Sequence, residues 1–265
     1  MFHKNGEVDS MNRFYTHHEW LDQLMPEGLP IPSSTVISGP GGSGKPLVGL
    51  AVVTSWLEQD GKVVLMSLQY PDRKWTEDDL SRLYDVQLDD YAGSFFFIRF
   101  DPDIEPTADT VERIRDDEVV ANLVSPDAWE ASLDLADQAL GPSELGTLVF
   151  ASALNLLLFS RTYGQRMLAH LDTTLREEKS RTYLFTVSSS ALKEMIAKLE
   201  SAADNLMFTD MDRQEKRLRL RVARLKEAPH LGQTIVAPFA QATLQDLKET
   251  ADASRVARIA TIRKI

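Results

Sequence analysis

The sequence predicts an α/β fold, with a mostly parallel central sheet flanked by helices and an antiparallel extension near the C terminus. Three observations carry that prediction. Five short apolar or β-branched runs, at 35–39, 62–68, 94–100, 147–154 and 182–189, are separated by longer amphipathic stretches. Several are apolar on both faces, as strands buried between two helical layers are, and such alternation is the α/β signature. A glycine-rich turn, GPGGSGKP at 39–46, joins the first of these strands to a helix. The last third changes character, because 205–211, 217–225 and 233–240 are strand-like with only turns between them.

In chain order, residues 1–14 begin with the polar MFHKNGEVDS and read as an N-terminal extension of a single domain over 1–240. Periodicity predicts helices at 47–59, 76–84, 107–123, 127–140, 163–178 and 191–203, each with apolar positions spaced for one buried face. The Asp- and Pro-rich stretch at 101–109 reads as a long excursion. The last 25 residues, 241–265, form a C-terminal helical tail in which Arg255, Arg258, Arg263 and Lys264 lie beside Val256, Ile259 and Ile262. That tail fits docking on its own domain, on a neighbouring subunit or on an acidic lipid surface. The chain shows no internal repeat and no low-complexity tract.

Composition narrows the chemistry. The 265 residues carry 29 Lys+Arg against 40 Asp+Glu, a net charge of −11, with 43% hydrophobic residues and no cysteine. A globular core is affordable in apolar material, whereas disulfides, cysteine-held metals and thiol nucleophiles are excluded. The acidic balance disfavours nucleic acid, which draws on a Lys/Arg surplus. No secretory signal is visible at the start, and the longest apolar run, 148–159, falls short of the roughly 20 residues a membrane span needs. The expectation is a cytoplasmic protein without a membrane span.

The turn at 39–46 fits G-x-x-x-x-G-K in the strand–loop–helix setting that the motif requires. Gly39, Pro40, Gly41, Gly42, Ser43, Gly44, Lys45 and Pro46 are therefore the candidate nucleotide-binding residues. Glycines let backbone N–H groups wrap phosphate oxygens, the helix N-terminus adds its dipole, and Lys45 adds a charge. The next position should carry a hydroxyl for Mg²⁺. Pro46 has neither that hydroxyl nor an N–H, although proline is comfortable in a first helical turn.

On these residues the chain resembles the KaiC/RadA-like branch of the RecA-type P-loop ATPases, over roughly 15–230. Leu21, Asp22, Leu24, Gly28 and Pro30 match the family's lead-in to the phosphate loop. SAADNLMF (201–208) is similar to a family strand, and RLRLRVARLKEAPH (217–230) to a family segment in which Arg224, Leu225, Lys226 and His230 fall at matching places. The resemblance implies a RecA-like fold, ATP or ADP as ligand, self-association that includes a ring, and an in-trans phosphate contact by Arg224 and Lys226. The Arg/Lys order is reversed from the family's, which changes geometry because only Arg offers a planar fork.

The resemblance also implies acids that this chain lacks. Where the family's Walker B strand ends in Asp, LVFASAL places Ala151, with Ser152 retained. Where a Glu pair polarises water, the chain has Leu68 and Gln69. These three departures strike magnesium and water activation while the loop's shape residues stay. Phosphoryl transfer depends on positioning and charge stabilisation, and loss of a general base alone costs about 10²–10⁴-fold. The implied function is a pseudo-ATPase that binds ATP or ADP with an impaired Mg²⁺ site, hydrolyses it slowly or not at all, has no catalytic residue or metal ligand, and regulates or assembles with an unidentified protein partner. Two alternatives stay open: a nucleotide-free scaffold for protein partners, and an atypical ATPase that recruits Asp101 or Asp103. A DNA-recombination role runs against the net charge.

Other constellations have plainer readings. Strand alternation puts Arg217, Arg219 and Arg221 on one face and Leu218, Leu220 and Val222 on the other, as a solvated strand or a polyanion surface requires. His17 and His18 are adjacent, so they do not share a ligating face. Ser188 to Ser190 end a strand either as a cap or as ligand sensors.

Overall fold

A computed structural model describes residues 12–68, 72–212 and 214–265. The elements run β1 (Asn12–Phe14), α1 (Glu19–Asp22), β2 (Leu29–Ile31), β3 (Ser34–Gly39), α2 (Lys45–Glu58), β4 (Lys62–Ser67), α3 (Arg73–Tyr84), β5 (Phe95–Phe100), β6 (Glu112–Arg115), β7 (Glu118–Ala121), α4 (Pro126–Leu140), β8 (Thr147–Ser152), α5 (Gly164–Glu177), β9 (Thr182–Ser188), α6 (Lys193–Ala202), β10 (Asn205–Met211), β11 (Leu218–Arg224), β12 (Thr234–Val236) and α7 (Gln241–Ile262). The last three residues of the expected N-terminal extension, β1, pair antiparallel with β2 in a small separate sheet.

The main sheet has ten strands in the order β12-β11-β10-β3-β9-β8-β4-β5-β7-β6. Every neighbour pair from β10 to β7 is parallel, and antiparallel strands close both ends. The α/β expectation holds. It needs one refinement at the C-terminal end, because β10 lies parallel to β3 and the antiparallel extension begins only at β11.

Side-chain alternation along the strands builds two cores, one on each face of the sheet. On β5, Phe95 and Phe97 join Trp56, Leu47 and Val53 of α2, whereas Phe96 and Ile98 join Trp129 and Leu133 of α4 with Leu171 and Leu175 of α5. This is the period-two consequence of the pleat. Helix α2 is buried from Leu47 through Leu57, which explains why LVGLAVVTSWL is apolar all round rather than along one stripe. Gly49 lets it approach the sheet, for a Cβ there would lie 2.2 Å from the Phe150 ring.

One expected helix is replaced by strands. Residues 107–123 form a short 3-10 turn at Ala108–Thr110 and the hairpin β6–β7. The charged ERIRDDE has helical spacing, but the consecutive Val119 and Val120 fill the sheet beside β5, and all four residues of β7 are buried. An open parallel edge next to FFFIRF outweighs a weak local preference.

The tail helix α7 bridges the two cores. Leu244 and Leu247 are buried with the α2 layer, and Ile262 with the α4/α5 layer. It therefore crosses the edge at which the parallel strands end.

Candidate phosphate-binding site

The loop Gly39–Lys45 leaves the carboxyl end of β3 and turns directly into α2. Its backbone needs glycine at two points: Gly42 and Gly44 have φ of +72° and +73°, a region that penalises L side chains. Gly44 then caps α2 without a side-chain bond, and Pro46 occupies the first turn, where a missing N–H does not break the helix. Gly39 answers to packing instead, since a Cβ would meet the Thr209 carbonyl oxygen at 2.4 Å.

Lys45 is folded onto this loop. Its ammonium donates to the Gly39 oxygen (3.0 Å), the Pro40 oxygen (2.6 Å) and Ser43 Oγ (3.2 Å), and only 5% of the residue is exposed. Burial pushes its pKa down to about 7, because a low-dielectric site disfavours the charged form. Ser43 Oγ shares a 2.7 Å hydrogen bond with Thr209 Oγ1. The end of β9 braces the other side, where the Gly41 N–H donates to Ser190 Oγ (3.0 Å) and the Ser189 N–H to the Gly39 oxygen (2.9 Å). The serines at 188–190 thus tie the loop to its neighbouring strand.

A cavity of ≈540 Å³ opens beside the loop. One wall is Gly41–Pro46. A second is the turn after β8, where Ala153 takes a left-handed φ of 56° and a 3-10 run follows at Leu154–Phe159. The third is α7, which contributes Lys248, Asp252, Arg255 and Ile259. In that turn Asn155 Oδ1 accepts the Ser188 N–H (2.9 Å), and Thr186 Oγ1 accepts the Ala153 N–H (2.9 Å).

The described positions at which the resemblance expects a metal ligand and a water-polarising acid carry apolar side chains. Ala151 and the Leu68 side chain are fully buried; Gln69 lies outside the described residues. The Leu68 carbonyl accepts from Arg258 Nη1 at 2.7 Å. Among the described residues one carboxylate lies on the cavity wall, Asp252, which pairs with Lys248 (3.1 Å) and Arg255 (3.3 Å). Among the described residues no cluster of three His, Asp or Glu is placed to hold a metal. With Pro46 beside Lys45 and a methyl group at 151, this donor set does not fit Mg²⁺, which prefers carboxylate and water oxygens in octahedral array.

Arg224 and Lys226 sit at the opposite edge of the sheet. Arg224 pairs with Leu206 near the start of β10. Its guanidinium donates to the Glu200 (2.5 Å) and Ala203 (2.8 Å) oxygens at the end of α6. Lys226 Nζ lies 3.2 Å from Asp204 Oδ1. Within one chain the pair does not meet the loop. Arg219 pairs with Asp210 (2.8 Å), and the Arg221 guanidinium lies 5.0 Å from the Phe208 ring centre, so both arginines are engaged across the hairpin.

No protein-family profile matches the chain, and no curated sequence does. Its architecture does match a solved structure, the KaiC-like protein of the hyperthermophilic archaeon Pyrococcus horikoshii OT3. The TM-score is 0.62 over 87% of this chain and 96% of that one, at 13% identity. The fold is KaiC-like.

In this KaiC-like fold the loop lies at the carboxyl ends of the parallel strands, where open α/β sheets receive ligands. Sequence reasoning found that loop but missed Asn155 and Thr186 around it, and Lys248, and it named Arg255 only as a cation of the tail. A signal for the last two existed, because Lys248, Asp252 and Arg255 follow i, i+4, i+7 spacing on one helix face. What that face meets is a tertiary fact. Among the described residues no helix is long and apolar enough to cross a membrane.

Proposed function

We propose that this KaiC-like chain is a nucleotide-binding module that holds ATP or ADP on the 39–46 loop with little or no hydrolysis, and acts through regulation or assembly. One observation carries the reading: Lys45 and the left-handed glycines are in place at the end of β3, while the cavity they border contains no unpaired carboxylate among its described residues. A base that takes a proton from water must stand free within hydrogen-bond reach of it, and Asp252 is held by two cations. Asp101 and Asp103, the acids of the atypical-ATPase alternative, line a different cavity of ≈220 Å³ with Arg258.

Self-association belongs to the same proposal. In an assembly, Arg224 and Lys226 would approach a neighbour's phosphates only by releasing the α6 carbonyls and Asp204. The test is calorimetric titration with ATP and ADP, with light scattering in parallel, on wild type and Lys45→Ala. Saturable binding lost in Lys45→Ala, a change in assembly size and no phosphate release support the reading. Mg²⁺-dependent turnover that disappears with Lys45→Ala would sink it.

A second reading, a nucleotide-free scaffold, is favoured by the way the Lys45 ammonium is satisfied by the loop's own oxygens. It expects no saturable binding of either nucleotide.

A further inference from the structure

We infer that α7 supplies, from within the same chain, the positive charge that a divalent metal would otherwise bring to a phosphate chain on the 39–46 loop, with Arg255 and Lys248 as the cations that face it. This rests on the nucleotide-binding reading above and adds to it the charge state of the ligand and the residues that select it.

Four observations converge. The helix is clamped across the carboxyl edge of the sheet at both ends, by Leu244 and Leu247 in one core and Ile262 in the other. Its cations lie directly over the loop: a methyl group added at Gly41 would sit 3.3 Å from Arg255 Nη1, and one at Gly42 would sit 3.1 Å from Lys248 Cδ. With the helix in place the ≈540 Å³ cavity remains open, a size typical of ligand sites, so α7 is a wall and not a plug. Among the described residues the walls carry four cations, Lys45, Lys248, Arg255 and Arg263, against the single carboxylate of Asp252, in a chain whose net charge is −11.

A concentration of positive charge in an acidic protein focuses an anionic ligand into the cavity. The guanidinium fork of Arg255 suits phosphate oxygens, and Lys248 acts as a point charge. Leu156, Phe159 and Ile259 also line the cavity, and Arg263 lies 5.2 Å from the Phe159 ring centre. The arrangement therefore fits an anionic phosphate head with a flat or apolar body, as in a nucleotide. Because the charge is supplied by the chain and the described residues offer no metal-holding cluster, the preferred form is the metal-free polyphosphate. Mg²⁺ bound to the nucleotide neutralises the charge that Arg255 and Lys248 would meet. Asp252 sets the strength, since it competes with the ligand for both cations.

The experiment is calorimetric titration of the full chain with ATP, in EDTA and in excess Mg²⁺. The proteins compared are wild type, Lys45→Ala, Arg255→Ala, Asp252→Asn and Arg176→Ala, a control at the amino ends of the parallel strands, where the adjacent Leu175 carbonyl accepts from Ser34 Oγ at the start of β3. Wild type is expected to bind in EDTA and to weaken severalfold when Mg²⁺ is added. Arg255→Ala should weaken binding in EDTA by roughly tenfold or more, and Arg176→Ala should leave it unchanged. Asp252→Asn should tighten binding severalfold, a gain that a folding defect does not produce. Binding that requires Mg²⁺, or an Arg255→Ala protein that matches wild type, overturns the inference and leaves nucleotide binding standing. Absence of binding by wild type under both conditions overturns both.

Discussion

The Arg258 guanidinium donates to the Leu68 carbonyl at 2.7 Å, reaching from α7 to the carboxyl end of β4 across 190 positions of sequence. The same group donates to the Phe100 carbonyl at 3.2 Å and lies 5.7 Å from that residue's ring centre. A half-buried cation therefore satisfies the ends of two adjacent strands and pins the helix that walls the cavity. Burial presses its pKa down, although Asp101 nearby opposes the shift. The guanidinium remains charged, since its ordinary pKa lies far above neutrality.

Arg258→Ala should loosen α7 before it affects the rest of the fold. Charge-assisted hydrogen bonds to backbone carbonyls contribute about 1.5–3 kcal/mol, and the removal exposes two strand-end oxygens. The expected outcome is faster amide exchange over 241–262 with little change in β3 and β9, measured by hydrogen–deuterium exchange. Uniform exchange rates along α7 in both proteins would show that the apolar anchors at Leu244, Leu247 and Ile262 hold it unaided.

Ligand binding should take up a proton above neutral pH. The buried Lys45 ammonium has its pKa lowered to about 7, and a phosphate beside it favours the charged form. Below about pH 7 Lys45 is already charged and affinity is flat; above it, affinity falls by up to about tenfold per pH unit until the pKa of the complex is reached. Calorimetry at alkaline pH in buffers of different ionisation enthalpy measures the uptake directly. Lys45→Arg, which stays charged throughout, should abolish the dependence in any protein that still binds.

Gly49→Ala should destabilise the domain despite alanine's better helix propensity. The added Cβ would lie 2.2 Å from Phe150 Cε2, in a core where both elements are buried. Overpacking of this kind costs about 1–3 kcal/mol, against a gain of about 1 kcal/mol from propensity. Urea denaturation should show a lower midpoint with an unchanged slope.

Asp204 ties the start of β10 to three partners, Lys179 Nζ (2.7 Å), Lys226 Nζ (3.2 Å) and the Ser34 N–H (3.1 Å). Burial works against its charge, but Lys179, Ser34 and Lys226 together hold the carboxyl below the usual carboxylate range. A depressed folded pKa means that the stabilisation is present above the unfolded value and is lost as pH falls through the folded one. Asp204→Asn should cost about 1–3 kcal/mol at neutral pH. The difference from wild type should shrink as the pH falls below the ordinary aspartate value of 3.8, as urea denaturation across that range will show.

The sequence alone determined most of the architecture and the conformation of the 39–46 loop, the candidate site. Runs such as VVLMS and YLFTV are short, rich in β-branched and aromatic residues and apolar at consecutive positions, the pattern of a strand covered on both faces. The loop was legible because Gly42 and Gly44 report backbone conformations that few other residues adopt, and because Lys45 follows them at a fixed interval. These are local signals, written in the residues that obey them. The hairpin at 112–121 was illegible for the converse reason: ERIRDDE has a helical charge pattern, and it becomes β6 and the start of β7 only because β5 presents an open edge beside it. Tertiary structure alone decided that α7 runs over the phosphate loop, that Asp252 bridges Lys248 and Arg255 there, and that Arg224 is spent on the end of α6. Periodicity marks the face of a helix that packs. It carries no record of which distant surface lies opposite, because that choice is made by the burial energy of the whole chain.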